Sequence, residues 1–156
     1  MSRPIASLAS PSDWEELEAL RHRVFVEEQA VPVELERDEL DDIATHAVAR
    51  DAGGTVVGTG RMVVQPGGLA RIGRMAVAVE ARATGVGAAL LAVLEAAATA
   101  AGCRRVELHA QTHAAGFYRR AGYEACTGHF EGRALRAGEV IDDAGIPHVA
   151  MGKDLS

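Results

Sequence analysis

Aromatic residues and lysines are scarce in this chain. Aromatic side chains make up 4% of the residues, so valine, leucine, isoleucine and alanine must fill the core. Fifteen of the sixteen basic residues are arginine, and the net charge is −6. Because the arginines form no long basic run, we expect no nucleic-acid partner and no membrane-surface role.

Cysteines and long apolar runs are also rare. Cys103 and Cys126 are the only cysteines and form no C-x-x-C, so we expect free thiols in a reducing cytoplasm. The longest uncharged apolar stretch, residues 85–94, is too short to span a bilayer, and residues 1–10 lack the apolar run of a secretory leader. The sequence therefore predicts a single cytoplasmic domain over residues 1–156.

One segment of the chain is strongly acidic. Between positions 27 and 42, eight carboxylates face a single arginine, Arg37. Such a run indicates either a solvated helix and loop or an electrostatic field that attracts a cationic amine. Both interpretations stay open at the level of sequence.

Hydrophobic periodicity and glycine turns predict an α/β (α+β) fold with a mixed, mostly antiparallel sheet of six to seven strands flanked by helices. The predicted strands are residues 5–8, 47–50, 56–64, 70–79, 104–110, 123–127 and 147–153. The predicted helices begin at Trp14, Val33, Val86 and Ala114, and Gly102 ends the third. Because that long helix is a crossover, strands 70–79 and 104–110 should run parallel as a central pair.

A glycine-rich loop joins the fourth predicted strand to the long helix. Its sequence is Arg82-Ala83-Thr84-Gly85-Val86-Gly87. Backbone N–H groups in the first turn of a helix have no partner within the helix, and the helix dipole favours an anion there. The loop lacks the ending of a P-loop and the third glycine of a dinucleotide fingerprint, so its spacing alone indicates an anion site or a tight turn.

The loop resembles motif A of the GNAT superfamily of N-acetyltransferases, Q/R-x-x-G-x-G/A, with Arg82, Gly85 and Gly87 at the matching positions. Further segments resemble the ElaA-like branch of small bacterial GNAT proteins. These are residues 20–29, 72–77, 109–111, 116–118 and 145–148. The resemblance implies a GNAT fold with a splayed central strand pair, and acetyl-CoA as co-substrate.

The resemblance also implies which residues hold acetyl-CoA. Backbone of Met75, Ala76 and Val77 would pair with the pantetheine arm, and Arg82 would add charge at the rim. The diphosphate would lie on the backbone amides of Ala83, Thr84, Gly85, Val86, Gly87 and Ala88. Gln111 stands where the family has an asparagine that contacts the cofactor arm.

Two residues are the predicted catalytic groups. Tyr118 matches the family's general acid, which protonates the leaving sulfur, and a tyrosine is protonated at pH 7. His109 is the preferred base because alternation along its strand places it beside Glu107 on one face, and because imidazole titrates near neutrality. Glu28, Glu80, Glu107 or a water chain are alternatives for the base.

Other chemistry has weaker support in the sequence. His109 and His113 lack the helical register of a metal pair, so we expect no metal site. Cys103 and Cys126 are weaker candidates for acyl-accepting nucleophiles. Glu28 and His148 are the predicted acceptor-binding residues.

The predicted activity is N-acetylation of a primary amine, on a small molecule or a peptide, by direct attack in a ternary complex. One alternative is a sensor that binds a CoA thioester without turnover. Another is a different acyl donor, since Arg21, Val24 and Phe25 are distantly similar to a motif of acyl-homoserine lactone synthases. A homodimer is left open.

Overall fold

Residues 5–156 are described by a computed structural model. The strands are β1 (Ile5–Leu8), β2 (Thr45–Arg50), β3 (Val56–Gln65), β4 (Leu69–Val77), β5 (Arg105–Gln111), β6 (Glu124–Ala125), β7 (Gly128–Phe130), β8 (Arg133–Leu135), β9 (Val140–Asp143) and β10 (Ile146–Asp154). The α-helices are α1 (Trp14–Arg21), α2 (Val33–Glu36), α3 (Val86–Ala100) and α4 (Ala115–Arg120). Short 3-10 turns cover Pro11–Asp13, Glu39–Asp42, Val79–Ala81 and Thr112–Ala114.

In the described part of the chain, eight strands form the main sheet in the order β1-β2-β3-β4-β5-β10-β6, with β9 also paired to β10. Every pairing is antiparallel except that of β4 with β5. This confirms the predicted fold and its parallel central pair. The sheet exceeds the expected six to seven strands because the short β9 pairs with β10.

The core lies on both faces of the N-terminal half of the sheet. β3 is buried along almost its whole length, because α1 covers one face and α3 the other. Leu17 and Leu20 of α1 and Leu90 and Leu94 of α3 are at most 5% exposed. The apolar faces predicted from helical spacing therefore form the core, as expected for amphipathic helices.

The end of the first helical segment differs from a regular α-helix. After Arg21 the chain continues as a π-helix over His22–Glu28. Hydrophobic spacing alone does not distinguish this wider turn from an α-helix, and π-turns are frequent at functional sites. Val24 and Phe25 on this turn are buried and line the cleft described below.

The segment before the last strand holds structure that the sequence interpretation missed. Residues 123–127 form only the two-residue β6, while residues 128–143 form β7, β8 and β9. Two turns make these hairpins, Glu131-Gly132 and Ala144-Gly145, and all four residues have positive φ. Two-residue turns of this kind match the twist of paired strands, which explains glycine at the second position.

Candidate active site

A cleft of about 680 Å³ opens in the sheet where β4 and β5 separate. The two strands pair over three residues only, Leu69–Arg71 with Arg105–Glu107. Beyond Arg71 the two strands diverge, and residues 72–77 have no strand partner on that side among residues 5–156. Backbone N–H and C=O groups of β4 therefore face the cleft with their hydrogen-bonding capacity unused by the sheet.

A β-bulge lies at the mouth of this split. Thr59 pairs with Ala76 and Arg61 with Gly73, so the single residue between them on β3 is opposite Arg74 and Met75 on β4. Arg74 has a φ of 52°, in the left-handed region. For a residue with a side chain this costs roughly 1–2 kcal/mol, so other contacts must hold it in place.

Those contacts come from the acidic segment. The Arg74 guanidinium donates to the carbonyl of Glu36 at 2.9 Å and to that of Leu35 at 3.2 Å. It also lies 3.3 Å from a carboxylate oxygen of Asp38. The bulge is therefore fixed from outside the sheet by α2 and the turn after it.

Three of the eight carboxylates of the acidic segment pair with arginines from other elements, in a set of ion pairs that we call the charge network. Its members are Arg21, Arg61, Arg74, Glu36, Asp38 and Asp41. Burial acts to raise the pKa of Asp41, but hydrogen bonds and charge from Arg21 and Arg61 outweigh it and hold that pKa well below its ordinary value. This part of the acidic run is thus neither a solvated face nor a free attracting field.

The glycine loop lies at the open end of the split. Ala83 and Gly85 have φ of 62° and 90°, which turns the chain sharply into α3. No side chain caps the first turn of α3 among the described residues, and the first turn carries no acid. The N–H groups of Val86, Gly87 and Ala88 therefore point out of the helix end without a helical partner.

Arginine–carboxylate pairs border this loop. Arg82 pairs with Glu28 and donates to the carbonyl of Val77 at 3.0 Å. Arg23 pairs with Glu80 at 2.5 Å, and this hydrogen bond lowers the pKa of Glu80. Glu28 and Glu80, two of the three carboxylates predicted as alternative bases, are thus bound to arginines at the protein surface.

Tyr118 lies in the cleft wall with 8% of its surface exposed. Its ring packs edge-on against Phe117 at 5.0 Å and Tyr123 at 5.8 Å between centroids. Burial raises the pKa of Tyr118 to about 12. The phenol is therefore fully protonated at neutral pH and can donate a proton.

His109 lies in the same cleft, on β5. The alternation predicted for this strand is confirmed, since Val106, Leu108 and Ala110 are buried while their neighbours are half-buried. Burial lowers the pKa of His109 and the positive charge of Arg71 acts in the same direction, whereas Asp143 opposes them. The imidazole is therefore mainly neutral at pH 7 and can accept a proton.

The model of the family described as "Acetyltransferase (GNAT) domain" matches residues 10–155. The chain belongs to this GNAT family. The match confirms the predicted enzyme class, an acetyl-CoA-dependent acetyltransferase.

Proteins similar to this GNAT protein support the same family assignment. It is 40% identical over 135 residues to the uncharacterized N-acetyltransferase YjcF of Bacillus subtilis, covering 86% of this chain and 88% of that protein. Its fold matches Escherichia coli ElaA with a TM-score of 0.76 and 26% identity over 98% and 99% of the two chains. An acyl-CoA N-acyltransferase of Pseudomonas aeruginosa gives a TM-score of 0.76 with 28% identity over 96% and 99%. The predicted similarity to ElaA is confirmed.

The remaining predicted site residues of this GNAT protein divide into two groups. Gln111 and His148 line the cleft with Met75, Ala76, Val77 and Arg82. Gln111 exchanges amide hydrogen bonds with Gln29 at 2.9 and 3.3 Å, and His148 Nδ1 donates to the carbonyl of Ile146 at 2.7 Å. Glu28 and Glu107 lie outside the lining residues, and Glu107 accepts from Arg105 at 2.9 Å.

Other chemical sites predicted from the sequence have these surroundings. Cys103 is buried and Cys126 half-buried, and both are free. Over residues 5–156 no three metal-binding side chains come together. Within the same range no helix has both the length and the apolar character needed to cross a membrane.

Sequence reasoning missed two features of the site. The bulge at Arg74 was not predicted, although the isolated Gly73 beside it in a strand pattern is a signal of a bulge. Arg71, which lies in the cleft wall near His109, was not singled out either. An arginine within a strand has no local signature of function, and only the pairing of β4 with β5 places it there.

Proposed function

We propose that this GNAT protein transfers the acetyl group of acetyl-CoA to a primary amine by direct attack in a ternary complex. The observation that carries the proposal is the split between β4 and β5. It ends at the uncapped first turn of α3, and the proposed acid and base both line it. An extended ligand with an anionic end fits such a gap.

The residues present fit acetyl-CoA. Unpaired backbone of Met75, Ala76 and Val77 would hydrogen-bond the pantetheine arm as a neighbouring strand does. The amides of residues 83–88 would bind the diphosphate, since the space around Gly85 is open. A Cβ on Gly87 would come within 2.9 Å of the Phe117 ring, so glycine lets α4 pack against this turn.

Acetyl-CoA supplies an activated acyl group whose carbonyl carbon accepts the amine nitrogen. His109 takes one proton from the attacking amine, either directly or through a water. A backbone N–H of residues 75–77, held by the bulge, donates to the acyl oxygen as negative charge develops on it. As the new C–N bond forms and the C–S bond breaks, Tyr118 gives its proton to the departing sulfur. The amine proton later restores the phenol, so the protons balance.

The wider assignments rest on the sequence and stay proposals. The acceptor is a primary amine of a small molecule or a peptide, and His148 borders its pocket at the edge of β10. Glu28 would contact the acceptor from the side of the glycine loop, because its carboxylate pairs with Arg82 of that loop. A cytoplasmic location, which suits two free cysteines, and a homodimer are further proposals.

Replacing Tyr118 with phenylalanine tests the proposed acid. Loss of general acid catalysis should lower kcat by about 10²- to 10⁴-fold with little change in acetyl-CoA affinity, measured by thiol release and by calorimetric titration. Tyr123→Phe is the matched control, because its hydroxyl donates to Glu95 at 2.7 Å and its side chain does not line the cleft. Turnover by Tyr118→Phe at the parental rate would remove the acid role.

The non-catalytic alternative makes a different prediction in the same assay. A sensor would bind acetyl-CoA but release no thiol with any amine of a broad panel, whatever residue stands at position 118. A donor other than acetyl would appear as faster thiol release from longer acyl-CoA thioesters. The proposed function requires amine-dependent release from acetyl-CoA.

A further inference from the structure

The cationic side chains of the cleft are committed to protein partners with one exception. Among residues 5–156, four arginines line it: Arg61, Arg71, Arg74 and Arg82. Arg61 pairs with Asp38 and Asp41, Arg74 is held by α2, and Arg82 pairs with Glu28. Within residues 5–156, Arg71 forms no ion pair and no side-chain hydrogen bond. Residues 1–4 contain no carboxylate that could supply one.

The register of the sheet defines where Arg71 lies. It is opposite Val63 on β3 and Glu107 on β5, so it shares their face of the sheet and that of His109. On β3 the Cβ positions of Gly58 and Gly60 point at α3, and Val63 alternates with them, so this is the face opposite α3. Glu107 is already bound by Arg105, so it does not neutralise Arg71.

The position along β4 separates Arg71 from the diphosphate. A strand rises about 3.3 Å per residue, so Arg71 lies roughly 20 Å from Val77 and the glycine loop that follows it. The bulge at Arg74 lies between them. An anion bound by Arg71 is therefore beyond the reacting acyl group, on the side from which the acceptor must come.

The cleft lining also carries negative charge. Glu131, Asp142 and Asp143 line it, and among the described residues none of them pairs with an arginine or lysine within 4.0 Å. Asp143 is near enough to His109 to affect its titration. A ligand with only positive charges would leave Arg71 unpaired, and a ligand with only negative charges would leave the carboxylates unpaired. A ligand that carries both a positive and a negative charge would pair with Arg71 and with the carboxylates.

We propose that Arg71 binds a carboxylate of the acceptor, and that the acceptor is therefore a free amino acid rather than a polyamine. The inference rests on the proposed function. The amine lies at His109, two residues along β5 from the register partner of Arg71. The corresponding backbone separation is about 8 Å, which a guanidinium on its long side chain spans readily.

Matched ligands that differ by one carboxylate test the proposal by binding, independently of turnover. L-phenylalanine is compared with phenethylamine, and L-lysine with cadaverine, by calorimetric titration of the protein saturated with CoA. The amino acid of at least one pair should bind more tightly, by about 10- to 100-fold, as expected for hydrogen bonds to a charged group. In Arg71→Gln this preference should disappear, and in Arg71→Lys it should persist in part.

The outcomes separate this inference from the proposed function. Equal binding of both members of every pair, tighter binding of the amines, or no binding of any amino acid overturns the role of Arg71. An equal loss of affinity for both members of a pair in Arg71→Gln also overturns that role. Arg136→Gln is the control, because the Arg136 side chain is 93% exposed. Carboxylate-dependent binding without thiol release from acetyl-CoA would support Arg71 and refute acetyl transfer.

Discussion

Replacing Asp41 with asparagine should cost this protein a large part of its stability. The Asp41 carboxylate is wholly buried and accepts hydrogen bonds from Arg21 at 2.7 and 3.2 Å and from Arg61 at 2.9 Å. Asparagine keeps the shape but removes the charge, and its NH₂ group faces donors. Two buried guanidinium groups would then lack a shared counter-ion.

The size of the destabilisation depends on the ion pairs that Arg21 and Arg61 keep after the substitution. Arg21 keeps Glu36 and Arg61 keeps Asp38, so the loss is smaller than the sum of the broken bonds. Removal of one partner from a buried ion pair typically costs about 3–5 kcal/mol. For a domain of this size each kcal/mol lowers the Tm by roughly 2–4 °C, so we expect a fall of about 6–20 °C. Total stabilities are only about 5–15 kcal/mol, so the variant should be close to its limit.

The measurement is urea unfolding of the parent and the variant at several pH values, with Asp42→Asn as control. The Asp42 side chain is 78% exposed and lies 3.7 Å from Arg37, so its loss should cost at most about 1 kcal/mol. Because the pKa of Asp41 is depressed in the fold, its stabilisation is complete above its ordinary pKa of 3.8 and is lost as pH falls below that value. The parent and Asp41→Asn should therefore converge in acid. A cost no larger than that of Asp42→Asn at pH 7 would refute the role of Asp41 as the shared counter-ion of two buried guanidinium groups.

Two further predictions concern the site itself. Burial and Arg71 lower the pKa of His109, so the acid limb of the pH profile of kcat should have its midpoint below 6.5. His109→Asn should abolish that limb. An acid limb unchanged in this variant would exclude His109 as the base. A Cβ on Gly60 would come within 2.4 Å of the Met75 sulfur, so Gly60→Ala should displace Met75 at the bulge, raise the KM for acetyl-CoA and cost about 1–3 kcal/mol of stability. Gly53→Ala is its control, because a Cβ there meets only Asp51 at 3.4 Å, and equal effects of the two changes on KM would contradict this account.

Local patterns predicted much of the fold. Strand β1, the start of α3 and the glycine after its end were predicted within a few residues, because alternation, helical spacing and glycine each depend on near neighbours. The cleft position of Tyr118 followed from a motif resemblance, and the half-buried position of His109 followed from strand alternation. The catalytic roles of both residues stay predictions.

The features that the sequence did not predict depend mainly on pairing between distant segments of the chain. The bulge exists only because β3 has one residue where β4 has two, and apart from the signal at Gly73 the residues around Arg74 do not show this pairing. The charge network joins residues 15 to 38 positions apart, so the sequence of the acidic run alone did not show that arginines of α1, β3 and β4 neutralise part of it. The short strands β7 to β9 were missed because they have only three or four residues each and glycine turns separate them, so the segment resembles a loop.

The short pairing of β4 with β5 has a thermodynamic consequence. Only three residue pairs of that ladder close the sheet, so the free protein leaves the backbone of residues 72–77 hydrated on one side. A ligand that pairs with this backbone extends the sheet and binds the folded state alone. Its binding free energy is then added to the folding free energy, by about 2.7 kcal/mol at one hundred times Kd. The stability of this enzyme therefore depends on the concentration of its ligand as well as on its sequence.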